Sequence, residues 1–125
     1  MNNKLFLALR IAVAIILLQT LFFKFSAHQD SVFIFTKLGL EPWGRIGVGI
    51  LELIASILLF VPRRIGVGAG LSACLMSGAI IIHFTKIGIE VNGDGGSLFF
   101  TSIFTLILSL TILVKNRKDL AFLNL

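Results

Sequence analysis

Four long apolar runs dominate the chain, and short polar or charged segments separate them. A helix needs about 20 residues to cross roughly 30 Å of hydrocarbon. The runs therefore predict membrane spans at about 5–23, 46–61, 65–85 and 95–114. Arg10 interrupts the first run, Glu52 lies within the second, and His83 lies within the third. This pattern predicts an all-α protein, a single membrane domain over residues 1–125 built as a four-transmembrane-helix bundle.

The connections between the runs differ in length and character. Only Pro62, Arg63 and Arg64 separate the second run from the third, which predicts a tight antiparallel hairpin. The first connection is the longest, and its segment 31–35 is predicted to lie in the membrane interface as a short helix or strand. The third connection contains 92–96 (Asn-Gly-Asp-Gly-Gly), which is predicted to be a turn. It lacks the downstream carboxylates of a calcium loop.

Composition explains where this apolar surface must go. Hydrophobic residues make up 57% of the 125 residues and charged residues only 14%. Soluble domains are typically about 25% charged, so lipid must cover the outside, and the bilayer is the first predicted partner. The net charge of +5 does not indicate nucleic acid, because the basic residues lie at the ends of the apolar runs. The single cysteine, Cys74, excludes an internal disulfide.

The distribution of basic residues predicts the orientation. One side of the membrane would hold seven basic residues and one acid, Asp119; the seven are Lys4, Arg10, Arg63, Arg64, Lys115, Arg117 and Lys118. The other side would hold four basic and four acidic residues: Lys24, Lys37, Arg45, Lys86, Asp30, Glu41, Glu90 and Asp94. The more basic side is predicted to be cytoplasmic, with both termini, in a cytoplasmic (inner) membrane that the chain crosses several times.

Three ionisable residues are predicted to share one depth in the outer half of the membrane. An ionisable group within a span costs about 2.5–3.5 kcal/mol on insertion scales, so each is a functional candidate. Glu52 lies roughly 9 Å below the surface at the helical rise and is too short to snorkel. Lys24 and His83 fall at a similar level. Glu52, His83 and Lys24 are therefore the predicted ligand or proton site, although a structural Glu52, an interfacial His83 and a surface Lys24 remain open alternatives.

Other polar positions suggest secondary roles. Arg10 either snorkels to the inner headgroups or acts in a site. At 100° per residue Gln19 points nearly opposite to Arg10 and away from Lys24, so Gln19 is predicted to contact another helix or another subunit. A homo-oligomer is therefore left open. A small-residue face suited to close helix packing is predicted on the third span, formed by Gly66, Gly70, Ala73 and Ser77.

Several short motifs in order resemble the DoxX/DoxD-like family of small four-helix membrane proteins. They are Leu9-Arg10, Lys24, 38–42 (Leu-Gly-Leu-Glu-Pro), 49–53 (Gly-Ile-Leu-Glu-Leu), 58–62 (Leu-Leu-Phe-Val-Pro), Gly66, Gly70, and Met76 to His83. The family often has Gly where this chain has Leu21. The resemblance implies a four-helix bundle in the cytoplasmic membrane. Some members are associated with membrane redox systems, including thiosulfate–quinone oxidoreductase subunits.

Three functions are consistent with these features. The first is a non-catalytic or accessory subunit of a membrane redox system that interacts with a quinone and with redox partner subunits. The chain shows no haem ligand pair, iron–sulfur cysteines, flavin loop or other metal site, so no cofactor is evident and a quinone is the candidate ligand. The second is a small proton-coupled transporter that uses Glu52. The third is a membrane-protein assembly factor that grips its clients through the small-residue face.

Overall fold

The computed structural model describes residues 3–118, and within that range the chain is all-helical, without a strand. The helices, in chain order, are α1 (Asn3–Phe25), α2 (Gln29–Lys37), α3 (Trp43–Leu58), α4 (Ile65–Ile82) and α5 (Ser97–Lys115). A π-helical turn, His83–Ile87, continues α4. Four of the five α-helices are long, and α2, with nine residues, is short.

Three helical segments within the described residues are long and apolar enough to cross a membrane. They are Asn3–Phe25, Ile65–Ile87 and Ser97–Lys115. No more than a third of each is buried inside the protein. The remaining surface carries large apolar side chains, such as Phe22, Ile81 and Phe100, that are more than half exposed. Because a soluble surface rarely holds continuous apolar patches of this extent, the helices belong to a membrane-embedded protein.

The long helices pack in neighbouring pairs. Helix α1 packs against α3 and α5, and α4 packs against the same two helices. Completely buried apolar side chains from all four meet between them: Val13, Leu17, Ala55, Leu59, Ala69 and Ile112. The start of α1 and the end of α5 lie at the same end of the molecule, because Lys115 Nζ is 5.2 Å from the centre of the Phe6 ring.

Close packing between α3 and α4 depends on Gly68. A Cβ atom at this position would lie 2.9 Å from Ala55 O, Leu58 Cβ and Leu59 N. Two of these are backbone atoms that cannot rotate away, so only glycine allows the contact. At Gly70, which the sequence pattern favours, a Cβ would meet only Leu113 Cδ1, at 3.7 Å. Gly68, which makes this close approach to α3, is not one of the residues of the predicted small-residue face.

Helix ends differ from the apolar runs for local reasons. The predicted second span runs to residue 61, but α3 ends at Leu58, because Phe60 and Val61 donate their N–H groups three residues back. The predicted fourth span starts at residue 95, but α5 begins at Ser97. Gly95 and Gly96 have φ values of +69° and +88°, which an α-helix cannot contain.

The segment 31–35 in the first connection is helical. It lies within α2, which His28 caps by accepting a hydrogen bond from Asp30 N at 3.1 Å. At the other end Gly39 has a φ of +73°, Gly39 N donates to Thr36 O, and Leu40 N donates to Phe35 O. These two bonds and the left-handed glycine form a Schellman motif. The chain is thereby turned back towards α3.

Candidate functional site

A buried ion pair joins α1 to α3. Lys24 Nζ in the last turn of α1 lies 2.9 Å from Glu52 Oε1 in the middle of α3. The Glu52 side chain is 1% exposed and the Lys24 side chain 15%. Two charges removed from water stabilise each other only when their remaining polar atoms are also satisfied. Within the described residues, Glu52 Oε1 has the Lys24 ammonium group as its partner and no further hydrogen bond, whereas Oε2 is satisfied by a neighbouring hydroxyl.

Thr20 satisfies the second oxygen of Glu52. Thr20 lies one helical turn before Lys24, and its hydroxyl donates a hydrogen bond to Glu52 Oε2. Side chains four residues apart lie on the same face of a helix, so Thr20 and Lys24 approach the carboxylate together. The sequence analysis missed Thr20, although its i, i+4 spacing to Lys24 is a signal that identifies it.

An apolar cavity of about 290 Å³ lies beside this ion pair. Side chains from all five α-helices and the π-helical turn line it. Lys24, Glu52 and His83 are all among the lining residues, so the structure brings the three predicted site residues to one cavity. Most of the wall is apolar and includes Ile16, Phe23, Ile34, Phe35, Leu38, Val48, Leu75, Met76, Ala79, Ile82, Ile87 and Leu98.

His83 enters the wall through the π-helical turn. Its side chain is buried, and Nδ1 lies 2.9 Å from Gly88 O. A carbonyl oxygen only accepts, so Nδ1 carries a proton and, in the neutral ring, Nε2 is left as an acceptor. The Phe99 ring packs edge-on against the imidazole with centroids 5.5 Å apart. A widened turn of this kind often marks a functional position in a helix.

Ser31 supplies a polar group that has no partner. It lies on α2, is 1% exposed and lines the cavity. Its hydroxyl oxygen makes no hydrogen bond within residues 3–118. Leaving a buried hydroxyl unsatisfied costs about 1–3 kcal/mol, so an ordered water or a polar group of a bound molecule is expected to contact it. A serine in a loop sequence carries no signal for this role, which is why the sequence analysis missed it.

Arg45 closes the end of α1 next to the ion pair. Its Nη1 donates to the carbonyl oxygen of Lys24. Its Nε lies 2.9 and 3.0 Å from the two carboxylate oxygens of Glu41, and its Nη2 lies 2.9 Å from one of them. We call the group formed by Lys24, Glu41, Arg45 and Glu52 the paired end, because both cations there contact a carboxylate.

The connection from α4 to α5 holds α2 over the cavity. Asn92 Nδ2 donates to Asp30 Oδ1 at 2.8 Å. Asp94 organises the same loop by accepting from the backbone N–H groups of Val91, Gly96 and Leu98. Burial alone would raise the pKa of Asp94, but these three donors and the nearby His83 lower it below its ordinary value of 3.8. The segment 92–96 is therefore a turn fixed by its own carboxylate.

The two secondary candidates do not reach the cavity. Arg10 lies at the opposite end of α1, where its Nη1 donates to Leu59 O at 3.0 Å. Gln19 is exposed on the outer face of α1 and is not part of the cavity wall. Of the five residues singled out from the sequence, three line the cavity and these two lie elsewhere.

The part of the chain that the structure describes holds no group of three or more His, Cys, Asp or Glu side chains that could bind a metal ion. No family model, no curated protein and no solved structure matches this chain. Its functional assignment therefore depends on the chemistry of the cavity.

Proposed function

We propose that this protein is a four-transmembrane-helix bundle that binds the head group of a quinone-class lipid, as a non-catalytic accessory subunit of a redox system in the cytoplasmic membrane. The observation that carries the proposal is the convergence of Lys24, Ser31 and His83 on one apolar cavity. A ligand of this class has a polar ring that needs hydrogen bonds and an apolar tail that needs a lipid-like slot. The cavity wall offers both.

The membrane topology is part of the same proposal. Helix α3, with 16 residues, would be the fourth span beside the three longer ones. The basic residues at the start of α1, the turn after α3 and the end of α5 would face the cytoplasm with both termini. The cavity would then lie near the outer surface.

The donors and acceptors around the cavity suit a ligand that changes between carbonyl and hydroxyl forms. The ammonium group of Lys24 and the hydroxyl of Ser31 can donate to a carbonyl oxygen. Nε2 of neutral His83 can accept from a ring hydroxyl. Both oxygens of Glu52 already contact Thr20 and Lys24, so its main role is to hold Lys24 at the cavity. The resemblance to DoxX-like proteins supports the same ligand class.

Retention of a quinone by the purified protein tests the proposal. Membranes containing the protein are solubilised in mild detergent, and the bound lipid extract is analysed by mass spectrometry. We expect a near-stoichiometric quinone, and we expect Ser31→Ala to lower its retention about fivefold, since one hydrogen bond is worth about 1 kcal/mol. Gln19→Ala, on the exposed face of α1, is the matched control and should change nothing. A folded protein that retains no quinone would refute the ligand class.

The chain also carries a reporter of cavity occupancy. Cys74 is its single cysteine, and the thiol is exposed and lines the cavity. Addition of a short-chain benzoquinone with a fully substituted ring, which does not add thiols, should slow the modification of Cys74 by N-ethylmaleimide in detergent. At concentrations that half-protect the original protein, the same addition should protect only about one sixth of the Ser31→Ala protein, because its binding is about fivefold weaker.

A proton-coupled transporter is the second candidate, and the pairing of Glu52 with Lys24 favours it. Protonation of a carboxylate would release a buried lysine and so couple proton binding to the state of the cavity. Proton-driven uptake into vesicles that Glu52→Gln abolishes, in a protein without bound quinone, would establish this function instead. Recovery of stable partner subunits without ligand or uptake would favour an assembly factor.

A further inference from the structure

Arg10 occupies an unusual position at the end of the molecule opposite the cavity. Its guanidinium carbon lies 5.0 Å from the centre of the Phe6 ring and 5.4 Å from that of Phe60. Nη1 donates to Leu59 O, the carbonyl that ends α3. This bond satisfies one helix-end acceptor and places a positive charge at the negative end of the α3 dipole. Within residues 3–118, this bond uses one of the five N–H groups of the side chain.

No carboxylate neutralises Arg10 within residues 3–118. Its Nε is buried and has no hydrogen-bond partner there. Arg45 makes the corresponding bond at the other end of the same helix pair, yet Glu41 takes its Nε and Nη2. The acids of the described range are Asp30, Glu41, Glu52, Glu90 and Asp94, and they lie in the middle of α3 or in the segments around the cavity. Among the described residues, Arg10 therefore has no counterpart of the Glu41 carboxylate that contacts Arg45.

A second cation approaches the same aromatic ring. Lys115 Nζ lies 5.2 Å from the centre of Phe6, so Arg10 and Lys115 flank one side chain. The other basic residues of this end lie in adjacent segments. We call the whole set the basic end: Lys4, Arg10, Arg63, Arg64, Lys115, Arg117 and Lys118. Phe6 itself is buried, whereas Phe60 beside Arg10 is exposed. Two cations and an exposed ring beside one of them match a ligand whose anionic group is attached to an apolar body.

We propose that Arg10 and Lys115 bind the phosphate of an anionic membrane phospholipid, with the exposed Phe60 contacting its glycerol and the first methylene groups of its chains. The bidentate fork of an arginine suits a phosphate oxygen pair, and a lysine adds a point charge. The phosphate would then neutralise Arg10 and accept its hydrogen bonds, as the Glu41 carboxylate does for Arg45. The inference depends on the membrane topology proposed above but not on the quinone.

Native mass spectrometry of the purified protein with defined lipids tests this site. Protein delipidated in detergent is titrated with phosphatidylglycerol, phosphatidylcholine or inorganic phosphate. We expect phosphatidylglycerol to bind more tightly than phosphatidylcholine. Arg10→Gln and Lys115→Gln should each weaken its binding about fivefold, since each removes a direct hydrogen bond to the phosphate worth about 1 kcal/mol. Lys115 is exposed, so Lys115→Gln leaves the fold intact even if Arg10→Gln does not.

Matched controls separate a defined site from general attraction. Arg117→Gln removes the same charge from the same end, at an exposed residue that bonds only to Val114 O. The site predicts an unchanged affinity for this variant, whereas equal losses in Arg117→Gln and Lys115→Gln would overturn it. Displacement of the lipid by millimolar inorganic phosphate would also overturn it, because the pocket would then take a free anion.

Two further outcomes bear on the assignment. If Asp119→Asn destabilised the delipidated protein as much as Arg10→Gln does, an internal carboxylate would serve Arg10 and the lipid site would be refuted. Lys115→Gln should leave quinone retention unchanged, and Ser31→Ala should leave the lipid preference unchanged. The two sites can thus fail separately.

Discussion

At both the paired end and the basic end of the α1–α3 contact, an arginine binds the last carbonyl groups of the neighbouring helix. The two ends differ in whether that arginine also contacts a carboxylate. At each end an arginine of one helix donates to a carbonyl at the C-terminal end of the other: Arg45 to Lys24 O, and Arg10 to Leu59 O. Arg45 also contacts a carboxylate of its own chain. Arg10 contacts two aromatic rings and no acid within residues 3–118. Within residues 3–118, both cations of the paired end contact a carboxylate, whereas Arg10 at the basic end contacts none.

The comparison predicts that loss of a single charge is most damaging at the paired end. Lys24→Met would leave Glu52 buried without its cation, which costs about 4 kcal/mol of unfolding free energy for a buried pair. The double variant Lys24→Met/Glu52→Met should recover most of that loss, because apolar residues replace both charges. Thermal unfolding in detergent, followed by circular dichroism, measures both. A double variant no more stable than the single one would show that the pair does not act as a unit.

Packing sets the second largest effect and is independent of charge. Gly68→Ala should cost about 2 kcal/mol, since the new Cβ meets the backbone of α3 at 2.9 Å and overpacking is costly. Gly70→Ala is the matched control: its Cβ has room, and alanine has the better helix propensity, so this variant should be neutral or slightly stabilising. Equal destabilisation by the two substitutions in thermal unfolding would contradict the close approach at Gly68.

Substitution of the two arginines should change the unfolding free energy by different amounts, and the difference should depend on added lipid. In delipidated detergent, Arg45→Gln should cost about 1.5 kcal/mol, because it breaks charged hydrogen bonds and leaves Glu41 unpaired. Arg10→Gln should cost less, about 1 kcal/mol, since only the bond to Leu59 O is lost. Added phosphatidylglycerol should enlarge the cost of Arg10→Gln and leave that of Arg45→Gln unchanged. The measurement is the melting temperature of each variant with and without phosphatidylglycerol. If the lipid changed the cost of Arg10→Gln and of Arg45→Gln equally, the proposed difference between the two ends would be contradicted.

The smallest expected effect concerns the loop beside the paired end. The folded state lowers the pKa of Asp94 below 3.8 and so favours the ionised form. The stabilisation is complete above about pH 3.8 and is lost as the pH falls through the lower folded value. At pH 7, Asp94→Asn should cost about 0.5 kcal/mol, because an amide oxygen accepts the same backbone hydrogen bonds more weakly than a carboxylate does. Unfolding at several pH values should show that the difference in unfolding free energy between the original protein and Asp94→Asn shrinks in acid. A difference that does not change with pH would exclude the ionised Asp94 as its cause.

Much of the helical framework follows from hydropathy alone. The apolar runs give the approximate positions of α1, α3, α4 and α5, since lipid exposure demands continuous apolar helices. Depth along each helix also brings Lys24, Glu52 and His83 to a common level. Hydropathy does not fix how each helix is rotated against its neighbours. That rotation decides whether Gly68 or Gly70 faces α3.

The polar details of the cavity were harder to predict. Thr20 was within reach of sequence reasoning, because it lies one turn from Lys24 on the same face. Ser31 was not, because its role depends on how α2 folds over the ends of the longer helices. The π-helical turn at His83 was also unpredictable, since no residue type specifies a widened turn. Tertiary contacts, rather than local pattern, place these groups.

The short length of α3 has a consequence for the surrounding bilayer. Sixteen residues span about 24 Å, several ångströms less than a typical hydrocarbon core. If α3 crosses the membrane as proposed above, lipids next to it must compress, or their headgroups must move towards its ends. Thinning of this kind favours residence in thin membrane patches and association with other short-spanned proteins. The proteins next to this chain would then be selected partly by the local thickness of the bilayer, independently of any specific contact surface.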